Sequence, residues 1–177
     1  MRKALYLMGI LDDDDVEWLG KTGTPKHIPS GTMLIREGSP VEDLFVVLDG
    51  KLSVLVKSLG DREIAALLAG EIVGEMSFVD SRPPSASVVV SQDAHVLVLS
   101  RALLTNKLRT DAAFASRFYK ALATLLADRL RKTTSHLGYG NWTEEGTDAD
   151  ELDETMMDGA SSGATRFDRL LKKFRIN

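Results

Sequence analysis

Apolar positions recur along this chain with two different periods, and the changes from one to the other divide it into zones. Over residues 1–23 the spacing is helical: Val16 and Leu19 fall on one face. Asp12 or Asp13 stands where an N-cap is wanted, and the neighbouring aspartates suit the positive end of the helix. From 24 to 100 the apolar runs are short and β-rich, at 26–28, 32–35, 44–48, 52–56, 63–68, 85–91 and 95–99. They are punctuated by Pro29-Ser30-Gly31, Gly38-Ser39-Pro40, Asp49-Gly50, Gly60-Asp61 and Ala69-Gly70. Leu52, Val54 and Val56 alternate with Lys51, Ser53 and Lys57, as a strand with one covered face requires. Many short strands with no long helix between them predict a mainly β fold with flanking helices. The expected form is an antiparallel β-roll or jelly-roll, and a parallel sheet is disfavoured.

Helical spacing returns after residue 100. A short helix is expected over 103–108 and a long one from Asp111 to about Leu137, with Asp111 as its cap and Gly138 at its C-terminal turn. Phe114, Phe118, Leu122 and Leu125 form one stripe of the long helix; Tyr119, Ala123, Leu126 and Leu130 form a second beside it. One stripe suffices to pack on a roll, so the second predicts another partner, most simply the same helix of a second subunit in a homodimer, the alternative being a helix buried broadly within one chain. Residues 1–138 thus read as one domain. Residues 139–163 read as an acidic, disordered linker, with no lysine or arginine between Glu144 and Asp158. Residues 164–177 read as a basic amphipathic helix, in which Phe167, Leu170, Leu171 and Phe174 share a face amid Arg166, Arg169, Lys172, Lys173 and Arg175. That tail is expected to dock within the chain or on a protein partner; its apolar area is small for a membrane anchor.

Composition removes function classes more than it adds them. A chain of 177 residues buries one proper core, and a net charge of -4 argues against a nucleic-acid binder. With no cysteine there is no disulfide, thiolate nucleophile or thiolate metal site. The apolar stretch at 4–11 is too short to span a bilayer and runs into four aspartates, so a cytoplasmic protein is expected. Those aspartates do not fit a calcium loop, since Glu17 and Gly23 occupy the positions that need glycine and a carboxylate. His27, His95 and His136 match no metal-ligand spacing, and no nucleophile elbow or phosphate-binding Walker loop occurs, so neither a metal nor a catalytic residue is assigned. No catalytic constellation is found, so the chain does not read as an enzyme.

The chemistry lies between Gly70 and Val90. Gly74 permits a tight backbone path, the residues after it can form one helical turn, and Glu75 can accept a hydrogen bond from a sugar hydroxyl. The run Gly70-Glu71-Ile72-Val73-Gly74-Glu75-Met76-Ser77-Phe78, continuing through Arg82-Pro83-Pro84-Ser85-Ala86-Ser87, resembles the phosphate-binding cassette of the cyclic-nucleotide-binding domain family. The segment 28–50, with Glu37-Gly38 and Leu44-Phe45-Val46-Val47-Leu48-Asp49-Gly50, is similar to that family's opening strands. The passage 95–108 and the long helix also fit, so the resemblance spans about residues 10–138.

The resemblance implies a ligand such as cAMP or another cyclic nucleotide and no further cofactor. Gly74, Glu75, Met76, Ser77, Arg82, Pro83, Pro84, Ser85, Ala86 and Ser87 would line its site, with Glu75 on the ribose 2′-hydroxyl. Thr133 and Thr134 match the place from which family transcription factors read the purine. One departure stands out: where nucleotide-binding members carry an arginine for the cyclic phosphate, this chain has Pro84. Arg82 could replace it, Ser85 and Ser87 could hold the phosphate without a charge, or the cassette binds no cyclic nucleotide. About forty residues after the long helix, acidic first, leave no helix-turn-helix pattern, so a stand-alone member without nucleic-acid binding is expected. Two readings follow. One is a nucleotide sensor that signals through the long helix and tail to a protein partner; the other is a dimeric docking adaptor with no nucleotide ligand.

Overall fold

The computed structural model describes residues 8–136 and 154–176. After a helical stub at 8–10, helix α1 (Asp13–Thr22) leads into β1 (Thr24–Ile28), β2 (Met33–Ile35), β3 (Asp43–Val56), β4 (Arg62–Leu68) and β5 (Ile72–Val73). The short helix α2 (Glu75–Asp80) precedes β6 (Ser87–Ser100), and three helices close the chain: α3 (Arg101–Thr110), α4 (Ala112–His136) and α5 (Glu154–Phe174). The six strands form one antiparallel sheet in the order β1-β6-β3-β4, with β2 added to β6 and β5 to β3. This is the mainly β roll with flanking helices that the turn spacing predicts.

Two hydrophobic clusters share the sheet. Alternation sends Leu44, Val46 and Leu48 of β3 to one side, where they meet Met8, Leu11, Leu19, Leu104, Phe114, Phe118 and Leu122 of the helices. Val47 and Leu52 point the other way, into the roll, with Ile35, Leu67, Val73, Val88 and Val90. The first stripe of α4 is the helical half of the outer cluster: Phe114, Phe118 and Leu122 are buried, and Phe114 stacks on Phe118 at 5.5 Å. The second stripe is not covered. Tyr119, Ala123 and Leu130 are exposed and Leu126 is half-buried.

Several local expectations differ from the outcome, each for an identifiable reason. Asp49-Gly50 reads as a turn between two strands, yet β3 runs through it for 14 residues and pairs along most of its length with the equally long β6. Gly50 sits at φ 91°, where the β3–β6 register shifts, and a Cβ there would lie 2.3 Å from the Asp93 carbonyl oxygen. The glycine makes a bulge that bends a continuous strand around the roll instead of ending it. Ser53, placed by alternation on the polar face, is buried, and its hydroxyl donates to Glu63 at 2.7 Å across the β3–β4 pair. The two-residue β5 is too short for a periodic signal.

At the ends, Asp12 caps α1 and forms a reciprocal capping box with Asp15, while Asp111 accepts from the Phe114 amide to cap α4. Gly138 and the segment 137–153 lie outside the described residues. Helix α5 begins at Glu154 rather than at 164, so residues 154–163, read as linker, are helical. Its buried face continues back through Gly163, four positions before Phe167, and a glycine carries no hydrophobic signal. The tail docks within the chain: Phe167 and Leu170 enter the outer cluster against α1, and Arg166 and Arg169 pair with Asp13.

Candidate functional site

The cassette sits where β5 turns into α2. Gly74 adopts φ 90° at the head of α2, and a Cβ there would come within 2.9 Å of the Asp43 carbonyl oxygen and 3.4 Å of Val41. Only glycine meets both demands, a left-handed backbone and a close approach to a neighbouring strand. Behind it, α2 offers the unpaired amides of a first helical turn. Ser77 is buried and Met76 exposed. Arg101, at the start of α3, clamps the far end of this turn: its guanidinium donates to the Ser77 carbonyl at 2.8 Å and to the Ser81 hydroxyl at 3.0 Å, and lies 5.4 Å from the centre of the Phe78 ring.

Glu75 is 2% exposed, and its carboxylate accepts a hydrogen bond from Arg129 of α4. The same guanidinium donates to the Ile72 carbonyl at 2.7 Å and lies 3.5 Å from the Glu71 carboxylate, which is also buried. Its Nε is buried with no hydrogen-bond partner. A buried charge pair of this kind is costly to break from one side, because removing either partner leaves the other unpaired. One arginine near the end of the long helix therefore ties the cassette strand, the cassette glutamate and α4 together.

The phosphate end of the cassette is held differently. Arg82 does not turn inward; its side chain is 83% exposed, with Nε 4.0 Å from Asp80. The Pro84 carbonyl accepts from the Gly38 amide at 2.9 Å, and the Ser87 hydroxyl, buried, accepts from the Glu37 amide at 3.0 Å. The loop between β2 and β3 is thus laced to the cassette through two hydrogen bonds. Pro83 and Ser85 are exposed and Ala86 half-buried. A cleft of about 420 Å³ opens beside this junction, lined among others by Leu34, Ile35, Arg36, Val41 and Phe45. Ile35 and Val41 are also the side chains nearest Gly74, so the cleft abuts the cassette without being lined by Glu75 or Ser87.

Thr133 and Thr134 are exposed and their hydroxyls donate back to the Arg129, Leu130 and Arg131 carbonyls of their own helix. They stand one turn beyond Arg129 and are not brought onto the cassette of the same chain. Arg129 and Arg101 are the contributors that sequence reasoning misses. Both are ordinary helix residues by pattern, and their partners lie 54 and 24 positions away. Among the described residues no three or more ligating side chains gather as a metal site, and no helix is long and apolar enough to cross a membrane.

Comparison with known proteins places this arrangement. Residues 25–111 match the cyclic nucleotide-binding domain family. The chain is 34% identical over 111 residues to a cyclic AMP receptor protein of Thermus thermophilus, and 32% identical over 124 residues to glutaminase 2 of Bradyrhizobium diazoefficiens. These matches cover 62% and 70% of this chain but only 50% and 19% of those proteins, so the likeness is to one part of each. The crystal structure of a cyclic nucleotide-binding domain from Methylobacillus flagellatus superposes with a TM-score of 0.69 at 26% identity, covering 81% of this chain and 86% of that one. The matched segment runs from β1 to the cap of α4 and contains the whole cassette, and on that ground residues 25–111 are similar to the cyclic nucleotide-binding domain family in sequence and in fold.

Proposed function

We propose that this chain is a cyclic-nucleotide sensor module that reads its ligand at Glu75 and the 83–87 loop and reports it through α4. The observation that carries the reading is the Glu75–Arg129 pair, which joins the cassette to the long helix. A ribose hydroxyl donating to Glu75 competes with Arg129 for the same carboxylate. Arg129 also holds the Ile72 carbonyl, so any change at Glu75 is felt on β5 and at the end of α4 at once. The opposite end of α4 is gripped by α1, where Arg117 bonds Asp15 at 2.5 and 2.8 Å and Asp12 at 2.9 Å. Helix α1 in turn holds α5 through Asp13. A ligand that prefers one placement of α4 therefore shifts the exposed stripe and the tail, the two surfaces offered to a second subunit or a protein partner.

A specific observation favours the other reading, a docking adaptor without nucleotide. Pro84 leaves the cassette without its phosphate cation, and Arg82 is turned to Asp80. Calorimetric titration with cAMP, cGMP and cyclic di-GMP separates the two. The sensor predicts saturable binding to at least one of them that is lost in Glu75→Ala. No heat up to millimolar ligand sinks the sensor and leaves the adaptor.

A further inference from the structure

We infer that His27 and His95 form a binding site for a divalent transition metal of the zinc type on the outside of the roll, remote from the cassette. Sixty-eight positions apart in sequence, the two residues stand directly opposite each other in the β1–β6 pair. Asp49 on β3 is the register partner of His95 on its other side, so His27, His95 and Asp49 make a row across three adjacent strands. Opposed residues in a sheet share a face. The rings are already neighbours, with centroids 5.0 Å apart and planes inclined at 56°. Two imidazoles bound to one zinc at about 2.1 Å and a near-tetrahedral angle bring their ring centres to roughly that separation.

The carboxylates around the pair are placed as outer partners. Metal-bound histidine usually offers its second ring nitrogen to a carboxylate, which sets the tautomer and leaves the first nitrogen for the metal. Asp93 lies 3.8 Å from His27 Nε2, and its other oxygen is fixed by the Ser30 amide at 2.8 Å. Asp49 lies 4.0 Å from His95 Nδ1, a buried nitrogen with no hydrogen-bond partner. A metal on the opposite nitrogen of His95 would draw that N–H toward Asp49. Both imidazoles are well exposed, at 52% and 39%, so an ion can reach them. No three ligands converge here among the described residues, so two imidazoles hold the ion and water completes its shell. Such a donor set suits zinc, nickel or copper and not calcium or magnesium, which take oxygen ligands. Because β1 pairs only with β6 among the described residues, an ion bridging His27 to His95 would clip this strand to the roll.

The test is a zinc chloride titration of the untagged full chain by calorimetry, with ring resonances followed by NMR. One zinc per chain is expected, with His27 and His95 resonances shifting together. The variants H27Q and H95Q should each weaken binding at least tenfold, and H136Q should leave it unchanged. Both substitutions fall on exposed side chains, and NMR on the wild type gives the same answer if either variant misfolds. Absence of heat at millimolar zinc, undiminished binding in the double variant, or shifts confined to His136 would overturn the site.

Discussion

By its resemblance to the cyclic-nucleotide-binding family, Pro84 stands where nucleotide-binding members carry a guanidinium; its carbonyl accepts from the Gly38 amide. An arginine at this position keeps that carbonyl and adds a charged donor, and a hydrogen bond to a charged group is worth about 1.5–3 kcal/mol. Pro84→Arg should therefore tighten cAMP binding by roughly ten- to a hundredfold in calorimetry, since each 1.4 kcal/mol is about tenfold. A variant that still binds nothing would show that the defect lies beyond this one side chain. Gly50 provides a second residue-scale check. At φ 91°, with the Asp93 carbonyl and the Ala94 backbone within 2.3 and 2.6 Å of a would-be Cβ, it has no room for alanine. Gly50→Ala should cost on the order of 3 kcal/mol in urea unfolding, from backbone strain plus the displaced strand.

Helix α5 shows which force holds an element and which only orients it. Burying Phe167 and Leu170 contributes about 1.5–3 kcal/mol each, whereas exposed ion pairs are worth about 0–1 kcal/mol. The apolar face therefore does most of the docking, and the arginines set its register on α1. The ion pairs are nevertheless what acid removes. The hydrogen bond from Arg166, then that from Arg169, holds the Asp13 carboxyl below its ordinary value. At Asp15 burial pushes the carboxyl up, but the hydrogen bonds from Arg117 and from the Asp12 amide outweigh it and the net shift is downward. Both folded values lie below the unfolded ones, so their stabilisation is complete above about pH 4 and disappears as pH falls through the folded values. Amide-exchange protection of α5 should accordingly drop below pH 4 before that of β6 does. In Asp13→Asn the protection of α5 should already be reduced at neutral pH, with much of its acid-dependent drop gone.

At the scale of the molecule, the second stripe of α4 is an apolar surface that one chain leaves uncovered, with Tyr119 48% and Leu130 64% exposed. It lies on the helix that carries Arg129, so pairing of two such helices would place the signal from the cassette at a subunit seam. We expect a dimer in sedimentation velocity. Replacing Tyr119 and Leu130 by glutamate should weaken it at least about a hundredfold while leaving the circular dichroism spectrum unchanged, because both side chains are exposed on one chain. A monomer at all concentrations would remove the seam and leave α5 as the output surface.

The sequence alone determined whatever depends on neighbours along the chain. The capping at Asp12 and Asp111, the buried stripe Phe114-Phe118-Leu122 and most of the strands are legible because helical and strand periods and turn chemistry are local, whereas the cassette from Gly74 to Ser87 is legible only through its resemblance to a known family. Tertiary structure alone decided the pairings. Glu75 meets Arg129 across 54 positions, Asp13 meets Arg166 across 153, and His27 faces His95 through strand register. It also decided that Gly50 bends a strand and does not end it, and that Gly163 lies on a buried face. An arginine on a helix carries no mark of which carboxylate it will reach. That choice is made by the path of the roll, which brings β5 under the end of α4 and joins their charges where the carboxylate is buried.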